Sequence, residues 1–350
     1  MSIMNKLKSN SKIKQSSVLA ESQFFTDVEF VSVDVPMLNV ALSGSLNGGL
    51  SPGLTVLAGP SKHFKTSFAL KIASAYLKKH DDAVILFYDS EFGAPQSYFS
   101  NFDIDLNRVL HVPITNIEEL KFDIVSQLEN LDKGDKVIVV IDSIGNLASK
   151  KELEDALDEK SVADMSRAKA LKALFRMITP YLMMKSISLL AVNHTYKEIG
   201  MFPKDIVSGG TGVYYSANNI WILGRRQNKE GTEVMGYDFV INVEKSRFVK
   251  EKAKIPISVT WEGGIERYSG LLEVALAGGF VAKPSNGWYQ KVDIETGEMI
   301  GNKFREKDTL TESFWSDILS SPKFQSFIER QYTIDLDITG GESDVFSEDE

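Results

Sequence analysis

Residues 54–79, LTVLAGPSKHFKTSFALKIASAYLKK, constrain the fold more than any other stretch of this chain. A short apolar run ends at Gly59, a turn follows, and after Lys65 and Thr66 the apolar residues recur at helical spacing. That order of strand, loop and helix is what a phosphate-binding loop requires. Backbone N–H groups of such a loop and of the helix start point at anionic oxygens. The candidate cradle is Gly59, Pro60, Ser61, Lys62, His63, Phe64, Lys65, Thr66 and Ser67. Lys65 would add positive charge at the β- and γ-phosphates, and Thr66 would place a hydroxyl on Mg²⁺. The pattern G-x-x-x-x-G-K-[ST] is broken at one position, where Phe64 stands in place of glycine. A phenylalanine backbone avoids positive φ. Phe64 is therefore predicted at negative φ, with its ring turned off the phosphates onto neighbouring core.

The rest of the chain supplies matching elements. AVILFYDSE reads as a buried strand ending in the acids Asp89 and Glu91, and EELKFDIVSQLENL has helical spacing. KVIVVIDS is a run of five apolar residues ending at Asp142. SVADMSRAKALKALFRMITPYLMM predicts a long helix, ended or kinked at Pro180. ISLLAVNH, NNIWILG and YDFVINVEK read as further strands. Strands alternating with helices predict an α/β fold, a mostly parallel sheet flanked by helices. Ligands in such sheets bind at the carboxyl ends of the strands, where Gly59, Glu91, Asp142 and His194 all fall. From about residue 265 the pattern changes to short helices and turns, which predicts a smaller C-terminal unit.

Composition narrows the function classes. No cysteine is present, which excludes disulfides, thiolate metal sites and a cysteine nucleophile and fits a reducing cytoplasm. No apolar run approaches the roughly 20 residues that span a bilayer. The net charge of −9 argues against a surface that is basic throughout. Residues 335–350 carry seven acids and no base, so the remaining chain holds only −2 of that −9. A near-neutral body leaves room for a local anion-binding groove. The first 20 residues, rich in Lys, Ser and Asn, and the acidic end both have the composition of solvated termini.

Several side chains carry candidate chemistry. Asp142, at the end of an apolar strand, suits a carboxylate that holds Mg²⁺, although such a residue also suits a helix cap. Glu91 is the candidate for activating an attacking water. His194, at another strand tip, suits a sensor of the terminal phosphate. Tyr98 could stack on a base or pack. Residues 195–212 form a long connection with Lys197, Lys204, Gly209, Gly210, Thr211 and Gly212, a pliable loop able to hold nucleic-acid phosphates. Residues 147–160, with Lys150 and Lys151, are mixed in charge and read as an exposed helix.

Taken together, AESQFFTD, ALSGSLNGGL, LAGPSKHFKTSF, LFYDSEFG, VIVVIDSIGNLASKKELEDAL, AVNHTY, GGTGVYYSA, VEKSRFVKEKAK and NGWY resemble the RecA-family recombinases, and within them the UvsX-type group of T-even bacteriophages. That group also carries phenylalanine before the loop lysine. The resemblance implies a RecA-type P-loop ATPase core at 36–264, an N-terminal oligomerisation arm at 1–35, a small C-terminal domain at 265–334 and an acidic tail at 335–350. It implies ATP in the 59–66 cradle, Mg²⁺ on Thr66 and Asp142, Glu91 as the water-activating glutamate and Tyr98 against the adenine. His194 stands where the family relays the phosphate state to DNA.

Residues 147–160 and 195–212 match the family's two DNA-binding loops. Lys245 and Arg247 match a basic pair that reaches the nucleotide of an adjacent subunit, and Phe24 and Phe25 match the arm that docks on a neighbour. The implied activity is DNA-dependent ATP hydrolysis coupled to homologous pairing and strand exchange by a filament on single-stranded DNA. Double-stranded DNA, a phage single-strand-binding protein and a mediator are the implied partners, in the host cytoplasm. A hexameric helicase motor or a small-molecule kinase would share the P-loop. The phenylalanine arm and the GGTG stretch favour the filament, and no basic lid for a kinase is evident.

Overall fold

A computed structural model describes residues 2–13, 15–22, 28–158, 166–198, 200, 203–230, 232–261 and 264–334. Phe24, Phe25 and residues 335–350 lie outside the described residues, as do parts of both candidate DNA loops. The chain begins with helix α1 (Ile3–Asn10), started by the Ser2 hydroxyl accepting the Asn5 N–H at 3.2 Å. The polar composition of this end did not suggest a helix. Helix α2 (Pro36–Ser43) is buried along nearly its whole length.

Strand β1 (Gly53–Ala58), helix α3 (Lys65–Lys79), strand β2 (Val84–Asp89), the short helix α4 (Gln96–Ser100), strand β3 (Val109–Pro113), helix α5 (Ile117–Asn130) and strand β4 (Val137–Asp142) follow. Next come helix α6 (Lys150–Leu157), helix α7 (Ser166–Met184) and strand β5 (Ser188–Asn193). Helix α7 runs on past Pro180, so of the two outcomes expected there, an end or a kink, the end does not occur. Its buried Ile178 and Leu182 keep the last turns on the core, and Thr179 Oγ1 donates to the Phe175 carbonyl at 2.6 Å.

The connection after β5 holds a small hairpin, β6 (Thr195–Lys197) with β7 (Asp205–Val207), and then helix α8 (Gly210–Ser216). Strands β8 (Asn219–Glu230), β9 (Glu233–Lys245), β10 (Lys254–Thr260) and β11 (Gly264–Ile265) complete a nine-stranded sheet of order β11-β10-β9-β8-β1-β5-β4-β2-β3. From β8 to β3 every neighbour is parallel, and β9 to β11 extend the sheet antiparallel.

Strands β1, β4 and β5 are buried at every residue, because helices cover both faces. Alternate residues serve opposite cores. Ile138 and Val140 of β4 pack with α2 and α3, while Val139 and Ile141 pack with α5 and α7. Beyond the sheet lie helix α9 (Leu271–Ala277), the antiparallel strands β12 (Val281–Ser285), β13 (Trp288–Val292) and β14 (Met299–Phe304), and helices α10 (Glu312–Ser320) and α11 (Pro322–Tyr332). Phe280, Trp315 and Phe324 of this unit join the α2–α3 core. Among the described residues no helix is long and apolar enough to cross a membrane.

Candidate functional site

The carboxyl end of β1 delivers the loop 59–64, and α3 begins at Lys65. Phe64 has φ 54° and ψ 25°, in the left-handed region, and Lys62 has φ 60°. The expected negative φ at Phe64 is therefore wrong. The loop must turn sharply to aim its N–H groups, and that geometry holds whichever side chain is present; it is why glycine suits the position. A left-handed L-residue costs roughly 1–2 kcal/mol. The core contact expected of the ring is present, and Phe64 also lines the cleft described below. It packs on the core with centroids 5.6 Å from Phe239, 6.2 Å from Tyr237 and 6.4 Å from Trp261. Aromatic pairs of this kind contribute about 0.5–1.5 kcal/mol each beyond burial, enough to offset the strain.

Lys65 is buried and its Nζ donates to the Pro60 carbonyl at 2.8 Å, which folds it across the loop. Burial pushes its pKa down, and the charges of Glu91 and Asp142 pull it up. Thr66 Oγ1 donates to Asp142 Oδ2 at 2.7 Å. The other oxygen, Asp142 Oδ1, is buried with no hydrogen-bond partner. Burial pushes the Asp142 carboxyl up to about 6, against the Thr66 hydrogen bond and with the charges of Glu91 and Asp89 adding. An orphaned carboxylate oxygen beside a hydroxyl is a donor set that fits Mg²⁺. Among the described residues no cluster of three or more His, Cys, Asp or Glu exists to hold a metal ion.

Strand β2 ends in a turn tied by Asp89, whose Oδ1 accepts the N–H groups of Glu91 at 3.0 Å and Phe92 at 2.7 Å. This turn presents Glu91. Its Oε1 accepts from Ser143 Oγ at 2.5 Å, His194 Nε2 at 3.0 Å and Asn146 Nδ2 at 3.1 Å. A carboxylate only accepts, so His194 carries its proton on Nε2 here. The His194 hydrogen bond leads in holding Glu91 below the usual carboxylate range, opposed by burial and helped by Ser143. Gly145 is required at this contact, because a Cβ there would lie 2.2 Å from His194 Cδ2.

His194 is also fixed through its backbone. Its N–H donates to Asn193 Oδ1 at 2.8 Å, and its carbonyl accepts the Ser208 N–H at 2.9 Å. Tyr98 bonds through its hydroxyl to Ser67 Oγ and sets its ring edge-on to Phe102. Lys65, Thr66, Glu91, Tyr98 and His194 thus line one cleft of about 400 Å³. Arg225, Tyr237 and Trp261 line it too. Sequence reading missed them; the one available signal was a pair of arginines following the apolar run of β8.

The candidate nucleic-acid residues lie on or beside helix α6, the β6–β7 hairpin and the start of α8. Lys150 and Lys151 start α6, whose Ser149–Glu152 capping box is complete. They pair with Glu154 at 3.9 Å and Asp155 at 2.7 Å. Lys197 pairs with Asp205 across the β6–β7 hairpin at 2.9 Å, and Lys204 is exposed. Gly209 caps α8, and Gly210 and Thr211 begin it. Gly212 is buried where α8 crosses α7, and a Cβ there would meet Lys172 Cα at 2.7 Å. Among the described residues of 195–212, the strands β6 and β7 and the start of α8 stand where a plain loop was expected.

Arg167, which sequence reading passed over, joins the two regions. It donates to the carbonyls of Leu147 at 2.8 Å, Gly145 at 2.8 Å and Ile144 at 3.0 Å, and to Ser208 Oγ at 3.4 Å. Lys245 does not reach this chain's cleft. Its Nζ donates to the Tyr214 carbonyl at 2.6 Å, at the end of α8. Arg247 is exposed nearby.

Comparison with known proteins covers nearly the whole chain. A family model described as the RecA N-terminal domain matches residues 4–266. A second, described as "Bacteriophage T4, Recombination and repair protein, C-terminal domain", matches residues 268–328. The chain is 50% identical over 325 residues to the recombination and repair protein of Enterobacteria phage T4, covering 92% of this chain and 83% of that one. It is 25% identical over 309 residues to protein RecA of Tropheryma whipplei, covering 86% and 69%. Against protein RecA of Thioalkalivibrio sulfidiphilus the identity is 24% over 287 residues, covering 81% and 79%.

Proposed function

The chain belongs to the RecA family, and on that premise we propose that it is an ATP-dependent recombinase that pairs and exchanges homologous DNA strands. ATP binds in the cleft at the end of β1, with its triphosphate on residues 59–66 and its adenine against Tyr98. Mg²⁺ held through Thr66 and Asp142 supplies charge that neutralises the phosphate oxygens. Glu91 accepts the proton of the attacking water, a contribution of about 10²–10⁴-fold.

The reading rests on one observation above the others: His194 touches Glu91 through its ring and Ser208 through its backbone. The group poised to activate water is thereby one residue away from the segment that bears Lys197, Lys204 and Gly209. Single-stranded DNA on that segment and on α6 sets the position of His194, and so of Glu91. Phosphate contacts lead the binding, and base pairing tests homology.

Protomers stack into a filament, with Phe24 and Phe25 in the arm that docks on a neighbour. Lys245 and Arg247 complete the neighbour's nucleotide site in the manner of arginine fingers. Lys245 exchanges its bond to the Tyr214 carbonyl for that contact on assembly. ATP at the protomer boundary stabilises the filament by linkage. Work alongside a phage single-strand-binding protein and a mediator, in the host cytoplasm, belongs to the same reading.

Changing Glu91 to Gln tests it. ATP turnover in the presence of single-stranded DNA falls by about 10²-fold or more, while ATP-dependent DNA binding persists. Loss of binding in step with turnover assigns Glu91 a structural role, and wild-type turnover indifferent to single-stranded DNA overturns the proposal.

A further inference from the structure

We propose that Arg225 is a positioning residue for the nucleotide loop, one that holds the Lys62–His63 peptide in the orientation a triphosphate needs. The inference rests on the reading of residues 59–66 as the triphosphate cradle. The loop carries two non-glycine residues in the left-handed region, Lys62 and Phe64, within three positions. Each gains by relaxing to negative φ, so something must hold both.

The sheet register supplies the brace. Ala58, the last residue of β1, pairs with Ile222 of β8. Strand β8 therefore continues past the point where β1 turns away, and Arg225 lies on that overhang, beneath the loop. Its Nη1 donates to the Lys62 carbonyl at 2.6 Å. Its guanidinium lies 4.4 Å over the ring of Tyr237 on β9. Tyr237 in turn packs on Phe64 and, at 5.2 Å between ring centroids, on Trp261. One corner of the β8–β9 pair thus restrains both strained residues, Lys62 through its carbonyl and Phe64 through its ring.

The carbonyl bond has a definite consequence for the cradle. In a trans peptide the C=O and the following N–H point in opposite directions. Holding the Lys62 carbonyl on Arg225 fixes the His63 N–H on the opposite side of the peptide, which we take as the direction from which a phosphate oxygen is bound. Released from Arg225, the peptide can rotate, and the loop loses a donor. A glycine at 62 would have little reason to rotate, because it occupies left-handed and ordinary regions about equally. Only a planar donor stacked on an aromatic face fits this place, and arginine supplies both features.

A direct Arg225–phosphate contact would also make the residue matter, and a double-mutant cycle separates the two roles. ATP binding with Mg²⁺ is measured by equilibrium dialysis on the full-length chain without DNA, for Arg225→Ala, Lys62→Gly and the pair. Arg225→Met serves as a second variant, because it keeps apolar packing on Tyr237 without any donor. Expected is a loss of about tenfold in ATP affinity for Arg225→Ala or Arg225→Met, the size of one lost charge-assisted hydrogen bond. In the Lys62→Gly background the same changes cost less than about threefold, because glycine relieves the strain that Arg225 opposes. In steady-state turnover the loss appears in KM, with kcat at saturating ATP nearly unchanged.

An equal loss in both backgrounds overturns the proposal in favour of direct phosphate contact. No loss in either overturns it outright. Failure of the wild-type chain itself to bind ATP removes the cradle reading and the inference with it, and is distinguishable from both.

Discussion

Asp142 offers the sharpest test of how the site is built. Its carboxyl is 4% exposed, and burial raises its pKa from the ordinary 3.8 to about 6. Between those two values the folded protein holds a proton that the unfolded chain has released. The contribution of this group to stability is full below the ordinary value and is lost as pH rises through about 6. The loss between pH 4 and pH 7 is about 2–3 kcal/mol, at 1.36 kcal/mol per pKa unit. Asp142→Asn removes the titration and keeps an oxygen for the Thr66 hydroxyl. The amide adds a buried N–H₂ near the orphaned Oδ1, a cost of about 1–3 kcal/mol that does not vary with pH.

The stability difference between Asp142→Asn and wild type therefore moves in favour of the mutant by about 2–3 kcal/mol from pH 4 to pH 7. Urea titrations of both proteins in EDTA across that range measure it, with equal m-values as the control. Adding Mg²⁺ and ATP at pH 7 moves the difference back towards the wild type, because only the wild type gains binding energy through this carboxylate. A difference that stays flat with pH, or that moves against the mutant as pH rises, refutes the reasoning.

Two further outcomes test separate parts of the account. Phe64→Gly restores the usual P-loop residue and relieves the left-handed strain, yet it removes the ring from Tyr237, Phe239 and Trp261. It is expected to destabilise the chain by about 1 kcal/mol or more, since lost aromatic packing outweighs the strain; a more stable mutant in urea titration would contradict this. Gly145→Ala drives a methyl against His194. Stimulation of ATP turnover by single-stranded DNA should fall at least about tenfold, and a turnover ratio equal to that of wild type would break the proposed link from His194 to Glu91.

The parts of this site that sequence exposed are those whose determinants are local. Five apolar residues before Asp142 marked a fully buried strand and hence its end. Lys65 and Thr66 after a strand and a turn marked the loop. The conformation of Phe64 was misjudged because side-chain preference was set against loop geometry, and geometry prevailed. The glycines of 195–212 suggested a loose loop, but strands of three residues leave no readable alternation, and Gly212 serves a close helix crossing. Helix α7 passed Pro180 because tertiary burial outweighs the local penalty. The contacts of Arg225 and Arg167 escaped for a different reason, although the Arg225–Arg226 pair after the apolar run of β8 was itself a faint signal. Each side chain acts on backbone carbonyls far away in sequence, 163 residues for the Arg225–Lys62 bond, and no local pattern encodes such a contact.

The central claim is that ATP in the β1 cleft drives DNA strand exchange. It is tested most directly by strand exchange between circular single-stranded DNA and homologous linear duplex, with full-length protein, ATP and Mg²⁺. The account predicts joint molecules with ATP and homologous duplex, and none without ATP, with heterologous duplex or with Lys65→Ala. Exchange that proceeds without ATP or survives Lys65→Ala would contradict it, as would ATP turnover stimulated by DNA with no pairing at all.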